Sequence, residues 1–206
     1  MINGKFLGSG QEGILYVSAD NSSVLKVFFR DYFPYSIDHG YSRALATEEF
    51  NNMARAFNCG IKVPKPIQLL TVVLDSEDLK DVKPLERASN SIENRDPNSL
   101  IGKSRFAIRR QFIPGKSLYK RVFPSRSVRQ KVREMHEEIE RAGLVYSDVK
   151  ADNYVLTPKG EVYIVDCRYL VPRNSLVGFL NRDWKQQKIP TCRIGEWFET
   201  LRLSLS

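Results

Sequence analysis

Residues 146–153 read Tyr-Ser-Asp-Val-Lys-Ala-Asp-Asn, YSDVKADN, and the interpretation of the chain turns on them. They follow an amphipathic stretch and precede an apolar run that ends in Tyr163-Ile164-Val165-Asp166. Asp148, Lys150 and Asn153 stand at D-x-K-x-x-N spacing, in a turn after a helix. A carboxylate at Asp148 can accept a hydroxyl proton. An ammonium at Lys150 can neutralise a transferring phosphoryl group, and the amide oxygen of Asn153 can bind Mg²⁺. Asp166, at the end of a strand-like run, stands where a metal-binding carboxylate belongs. A solvated turn rich in Asp and Asn is the plainer reading, and the return of Asp166 at that interval weighs against it.

Upstream of this motif, SVRQKVREMHEEIERAG (127–143) reads as a helix capped by Ser125 or Ser127 and stopped at Gly143, with Val128, Val132, Met135 and Ile139 as its apolar stripe. Further back, RFAIRRQFIPGKSL (105–118) is a strand that runs into a Pro-Gly turn, a plausible boundary between two lobes. Residues 75 to about 105 are polar and broken by Pro84 and Pro97, and are expected to be a loop or partly ordered insertion. KVPKPIQLLTVVLD (62–75) predicts an extended entry and a strand. Around 41–58, Ala46, Phe50, Met53 and Phe57 recur at helical spacing, with Gly60 as a stop signal. Beyond Cys167 the pattern predicts a polar loop and a final helix, RIGEWFETLRL (193–203).

The N-terminal third carries three further signals. KFLGSGQEGILYV predicts a hairpin whose turn holds Gly8, Gly10 and Gly13, residues that let a backbone approach phosphate oxygens. A flexible hairpin turn would look the same. No Gly-Lys-Ser/Thr closes it, so it is not a Walker A loop, and a strand rather than a helix follows, against a dinucleotide fingerprint. Lys26 lies in the apolar strand VLKVF, where it either points to water from an edge or enters a cleft and meets an anion. On the helical wheel Glu49 neighbours Ala46 and Met53, with Glu48 on the opposite side. An inward carboxylate needs a cation, and Lys26 is the candidate; a solvated helix acid is the alternative for either glutamate.

Composition sets the frame. The 206 residues are 42% hydrophobic and 27% charged, as in a globular protein of one domain or two small lobes. There is no apolar run of membrane-spanning length, and MINGKF lacks the apolar core of a Sec signal. Cys59, Cys167 and Cys192 are odd in number and scattered, which predicts reduced thiols. Only His39 and His136 are present and no Cys are paired, so no zinc site is expected. The net charge of +8 is spread over short clusters, and no nucleic-acid partner is expected from it.

In order, the chain presents a glycine loop, a strand Lys, a helix Glu, a Pro-Gly turn, D-x-K-x-x-N and a strand-end Asp. That order resembles a protein kinase over roughly residues 4 to 170. The resemblance implies an α+β, minimal protein-kinase-like bilobal fold: a single domain over 1–206 with a β-rich N-lobe with one helix (about 1–112) and a truncated helical C-lobe (about 115–206). It implies ATP and Mg²⁺ as cofactors, with Gly8, Gly10 and Gly13 over the phosphates and Lys26 on the α/β-phosphates, paired with Glu49. It implies Asp148 as catalytic base, Lys150 on the γ-phosphate, Asn153 and Asp166 on the metal, and Gln111 to Ile113 as the hinge whose backbone meets adenine.

The sequence departs from the family at several points. Tyr146-Ser147-Asp148 replaces His-Arg-Asp, so the Arg that pairs with an activation-loop phosphate is missing and activity without such phosphorylation is expected. Asp166-Cys167-Arg168 replaces Asp-Phe-Gly, and no Ala-Pro-Glu follows. Within the family, the size and these motifs resemble the Hop-type type III effector kinases that phosphorylate and inactivate the eukaryotic ninety-kilodalton heat-shock chaperone. That resemblance implies a monomeric Ser/Thr protein kinase delivered by type III secretion into host cytoplasm, with the chaperone as partner and neither membrane nor nucleic acid involved. The competing readings are a small-molecule kinase, against which Lys150 speaks, and an ATP-binding pseudokinase.

Overall fold

In the computed structural model of the chain, residues 2, 4–9, 13–28, 40–82, 100–120 and 124–175 are described. Gly10, His39, Cys192, the final helix expected over 193–203 and most of the insertion lie outside them. Among the described residues no helix is long and apolar enough to cross a membrane.

The glycine-rich stretch links strands β1 (Gly4–Ser9) and β2 (Gly13–Ser18), which pair antiparallel as the hairpin pattern predicts. Gly13 is required by the sheet itself: a Cβ there would stand 2.4 Å from the Val27 carbonyl oxygen. β3 (Ser23–Phe28) pairs with β2, β5 (Ser104–Gln111) with β3, and β4 (Pro66–Val73) with β5, giving a five-stranded antiparallel sheet in the order β1-β2-β3-β5-β4. Ile14, Tyr16, Leu25, Val27 and Ala107 bury one face of this sheet, joined by Leu74 and Leu79. Each such aliphatic side chain contributes about 1.5–3 kcal/mol on full burial.

The segment after β4 differs from its expected irregularity. Asp75 caps a four-residue helix, α2 (Ser76–Leu79), in a reciprocal box: Asp78 N donates to Asp75 Oδ1 (2.8 Å), and Asp75 N donates to Asp78 Oδ2 (3.1 Å). Tyr16 OH donates to the Asp78 carbonyl at 2.7 Å and fastens α2 to the sheet. The capping signal D-S-E-D was present in the sequence, masked by the polar run that follows it.

Helix α1 (Gly40–Asn58) ends with Gly60 at φ +80°, and α3 (Arg126–Arg141) with Gly143 at φ +71°, a backbone conformation that favours glycine. Ser125 caps α3 by accepting from Val128 N, and Val128, Val132, Met135 and Ile139 are all buried. α3 packs on β7 (Leu144–Tyr146) and β9 (Val162–Ile164). β7 pairs with β10 (Leu170–Pro172), a strand the sequence pattern had not separated from a loop. β8 (Tyr154–Leu156) pairs with β9 and with the short β6 (Lys116–Ser117).

The buried face of α1 differs from the expected one. Leu45, Ala46, Glu49, Asn52, Met53 and Ala56 are buried, and Phe57 is exposed. Two polar side chains therefore lie on the inward stripe, where each finds a partner.

The chain divides into two compact units. One comprises the residues up to Asn51 with Lys65–Phe112, the other Asn52–Pro64 and the residues from Ile113 onward. The division falls within α1.

Candidate active site

In the first unit the sheet presents a lysine from its centre. β3 lies between β2 and β5, so Lys26 is not an edge residue, and only 7% of it is exposed. A buried ammonium is costly unless paired. Its Nζ lies 2.5 Å from Glu49 Oε2 and 4.9 Å above the centre of the Phe28 ring. Glu49 is fully buried, whereas Glu48 on the neighbouring face is exposed, which settles which glutamate meets Lys26. The sequence reading missed a second cation: Arg110 of β5, also buried, brings its guanidinium to 3.7 Å from Glu49 Oε1. No local signal marked it: in β5 Arg105 and Arg110 are buried and Arg109 is exposed, a pattern set by how the strand packs.

Gly8 sits at the register shift between Phe6 and Gly8, and a Cβ there would meet nothing within 4 Å. No described residue crowds the Cβ position of Gly8, whereas Gly13 has a packing reason of its own. Of the stretch Gln111 to Ile113, the amides of Gln111 and Phe112 donate to the Lys65 carbonyl (2.9 Å) and the Ser22 carbonyl (3.0 Å). Both amides are therefore engaged within the chain.

In the second unit a 3₁₀ turn, Ala151–Asn153, folds the motif back on itself. Lys150 Nζ lies 2.7 Å from Asp148 Oδ1. Asn153 Nδ2 donates at 2.9 Å both to the Asp148 carbonyl and to Asp148 Oδ2. The three residues expected to act together are therefore in direct contact. Partial burial works against the Lys150 ammonium, but the hydrogen bond and charge of Asp148, with the charges of Asp152 and Asp166, outweigh it and raise its pKa above the ordinary lysine value.

Asp166 lies two residues past the end of β9, and the segment is tied to the same turn. Val165 N donates to the Asn153 carbonyl (2.8 Å), and Arg168 N donates to Asp166 Oδ1 (3.3 Å). Tyr146 donates its hydroxyl to the Asp166 carbonyl at 3.1 Å. The two aspartates are thus linked through Tyr146 and Asn153. Behind them His136 Nε2 lies 2.7 Å from Tyr154 OH, and the Tyr146 and Tyr154 rings meet edge to face. Burial, reinforced for both by the charge of Asp148, holds the two phenol pKa values well above the usual tyrosine range, so both hydroxyls stay protonated.

Solved structures bear on the fold. Crystal structures of WbdD superpose with TM-scores of 0.51 and 0.52 at 13% sequence identity, covering 83% and 98% of this chain. One of the two is a complex of WbdD with the kinase inhibitor LY294002. The fold is kinase-like. The chain spans only 34% and 46% of those WbdD chains, and at this identity the likeness speaks for the fold alone. No family model matches the sequence, and no curated protein does.

The residues fit a hard divalent cation. Asn153 turns its amide nitrogen to Asp148, which directs Oδ1 elsewhere as an oxygen donor. Asp166 supplies a carboxylate whose Oδ1 is oriented by a backbone amide. One carboxylate and one amide oxygen suit Mg²⁺, which keeps waters and takes its other ligands from phosphates.

Proposed function

We propose that the protein is an ATP- and Mg²⁺-dependent phosphotransferase acting on Ser or Thr of a protein substrate. The contact of Asp148 with both Lys150 and Asn153 carries this reading: one carboxylate is aligned by a cation and an amide, beside a second carboxylate suited to a metal. In this reading Mg²⁺, held by Asn153 and Asp166, neutralises charge on the phosphates. Asp148 accepts the proton of the attacking hydroxyl through its carboxylate. Lys150 steadies the γ-phosphoryl charge, and Lys26, oriented by Glu49, holds the α/β-phosphates under the Gly8 backbone. Lys150 favours a protein over a small-molecule acceptor. Ser147 in place of Arg supports turnover that does not wait for activation-loop phosphorylation.

The narrower proposal rests on the motif resemblance: a monomeric effector delivered by type III secretion into host cytoplasm, with the ninety-kilodalton heat-shock chaperone as substrate. The test mixes purified protein, Mg²⁺ and γ-labelled ATP with eukaryotic lysate, with Asp166→Ala in parallel. A labelled band at the chaperone's mass, absent with the variant, is the expected result. Label on other proteins would keep the phosphotransferase and discard the chaperone. ATP bound without any protein label would favour a pseudokinase or a small-molecule kinase.

A further inference from the structure

The segment Asp166-Cys167-Arg168 lacks the Phe and Gly of the family motif, and its backbone is held from α1 instead. Asn52, 5% exposed, donates from Nδ2 to the Arg168 carbonyl at 2.7 Å. Its Oδ1 accepts from Arg55 Nη1 at 3.1 Å. A guanidinium can only donate, so Arg55 fixes which end of the amide faces it and leaves the nitrogen for the carbonyl. The same residue, Arg168, gives its own N–H to Asp166 Oδ1 at 3.3 Å. Arg55 and Asn52 thus anchor the carbonyl side of the residue whose own N–H meets the Asp166 carboxylate. All four belong to the same compact unit.

We propose that Asn52 is a positioning residue for the Asp166 carboxylate and thereby sets the divalent-cation affinity of the site. The proposal rests on the phosphotransferase reading, in which Asp166 is a metal ligand. Buried amides that satisfy both ends rigidify what they touch. Partners that orient a ligand from outside the coordination shell typically change metal affinity about 10–100-fold when removed. Asn52 sits three residues after Glu49, so the helix that carries the partner of Lys26 also carries the group that holds the metal-binding loop.

Two variants test this. Asn52→Ala removes the donor and places a better helix former in α1. Asn52→Asp keeps the volume and the Arg55 contact but sets an acceptor against the Arg168 carbonyl. Mn²⁺ binding, followed by electron paramagnetic resonance with a non-hydrolysable ATP analogue, is expected to weaken about 10–100-fold in both. Affinity for the metal-free analogue is expected to stay unchanged. Hydrogen exchange at the Arg168 amide, measured without metal or nucleotide, is expected to accelerate. If either variant fails to fold the other decides, and Arg55→Ala, which loosens the amide without removing it, decides if both fail. Wild-type-like Mn²⁺ affinity and Arg168 exchange in a folded variant would overturn the proposal and leave the phosphotransferase reading standing. Wild-type protein that binds no Mn²⁺-nucleotide would overturn both.

Discussion

Two lysine–carboxylate pairs lie in the two units, and they differ in almost everything except distance. Lys26–Glu49 closes at 2.5 Å with side chains 9% and 0% exposed; Lys150–Asp148 closes at 2.7 Å with side chains 60% and 20% exposed. The first pair is locked in place by a strand at the centre of a sheet and by the inward stripe of a helix. The second stands on a short turn in reach of water. A buried pair cannot lose one member without leaving an uncompensated charge, at about 3–5 kcal/mol, whereas exposed pairs contribute about 0–1 kcal/mol. The first pair therefore matters to the fold itself. The second contributes little to the fold.

Substitutions test that contrast. Glu49→Ala has the largest expected effect: it should lower unfolding free energy by about 3–5 kcal/mol in a denaturant titration and abolish phosphotransfer as well. A Glu49→Ala protein as stable as wild type would mean that removing the carboxylate does not leave Lys26 and Arg110 as costly buried cations. Asp148→Asn keeps the shape and an acceptor for Asn153 but removes the base. Turnover should fall about 10²–10⁴-fold while the melting transition moves little. Tyr146→Phe removes only the hydroxyl that holds the Asp166 carbonyl, and about 1 kcal/mol of stability is expected to go with it. Lys150→Ala should change unfolding free energy by no more than about 0.5 kcal/mol while still lowering turnover.

The smallest effect concerns pH. The Lys150 pKa is raised above its ordinary 10.5, so its stabilising contribution is complete below that value and is lost only as pH rises through the higher folded-state pKa. Thermal unfolding from neutral pH to about 10 should therefore show no transition owed to Lys150. A difference between wild type and Lys150→Ala that opened between about pH 7 and 9 would contradict the assigned contact.

Much of this was legible in the sequence because the signals were local. The caps and stops of α3, the hairpin and the D-x-K-x-x-N turn each depend on residues a few positions apart. Spacing set Glu49 beside Ala46 and Met53 on the helical wheel but left a solvated acid open, and only the structure decides between Glu49 and Glu48. What stayed hidden depended on long-range pairing. Arg110 reaches Glu49 only because β5 lies beside β3, and Asn52 reads as an ordinary helix amide until the Arg168 carbonyl, 116 residues further on, is brought to it. The role of Gly13 was legible as flexibility but not as a close approach to Val27, which is a property of strand pairing. The short β10 escaped because three residues carry too little periodicity to separate from a loop.

The central claim is that the chain moves a phosphoryl group using two aspartates in distinct roles. The most direct measurement follows transfer from γ-labelled ATP to a protein acceptor in the presence of Mg²⁺, with wild type, Asp148→Asn and Asp166→Ala side by side. The account predicts label on Ser or Thr with wild type and its loss in both variants, each still folded. Label transfer that survived either substitution at near wild-type rate would contradict it.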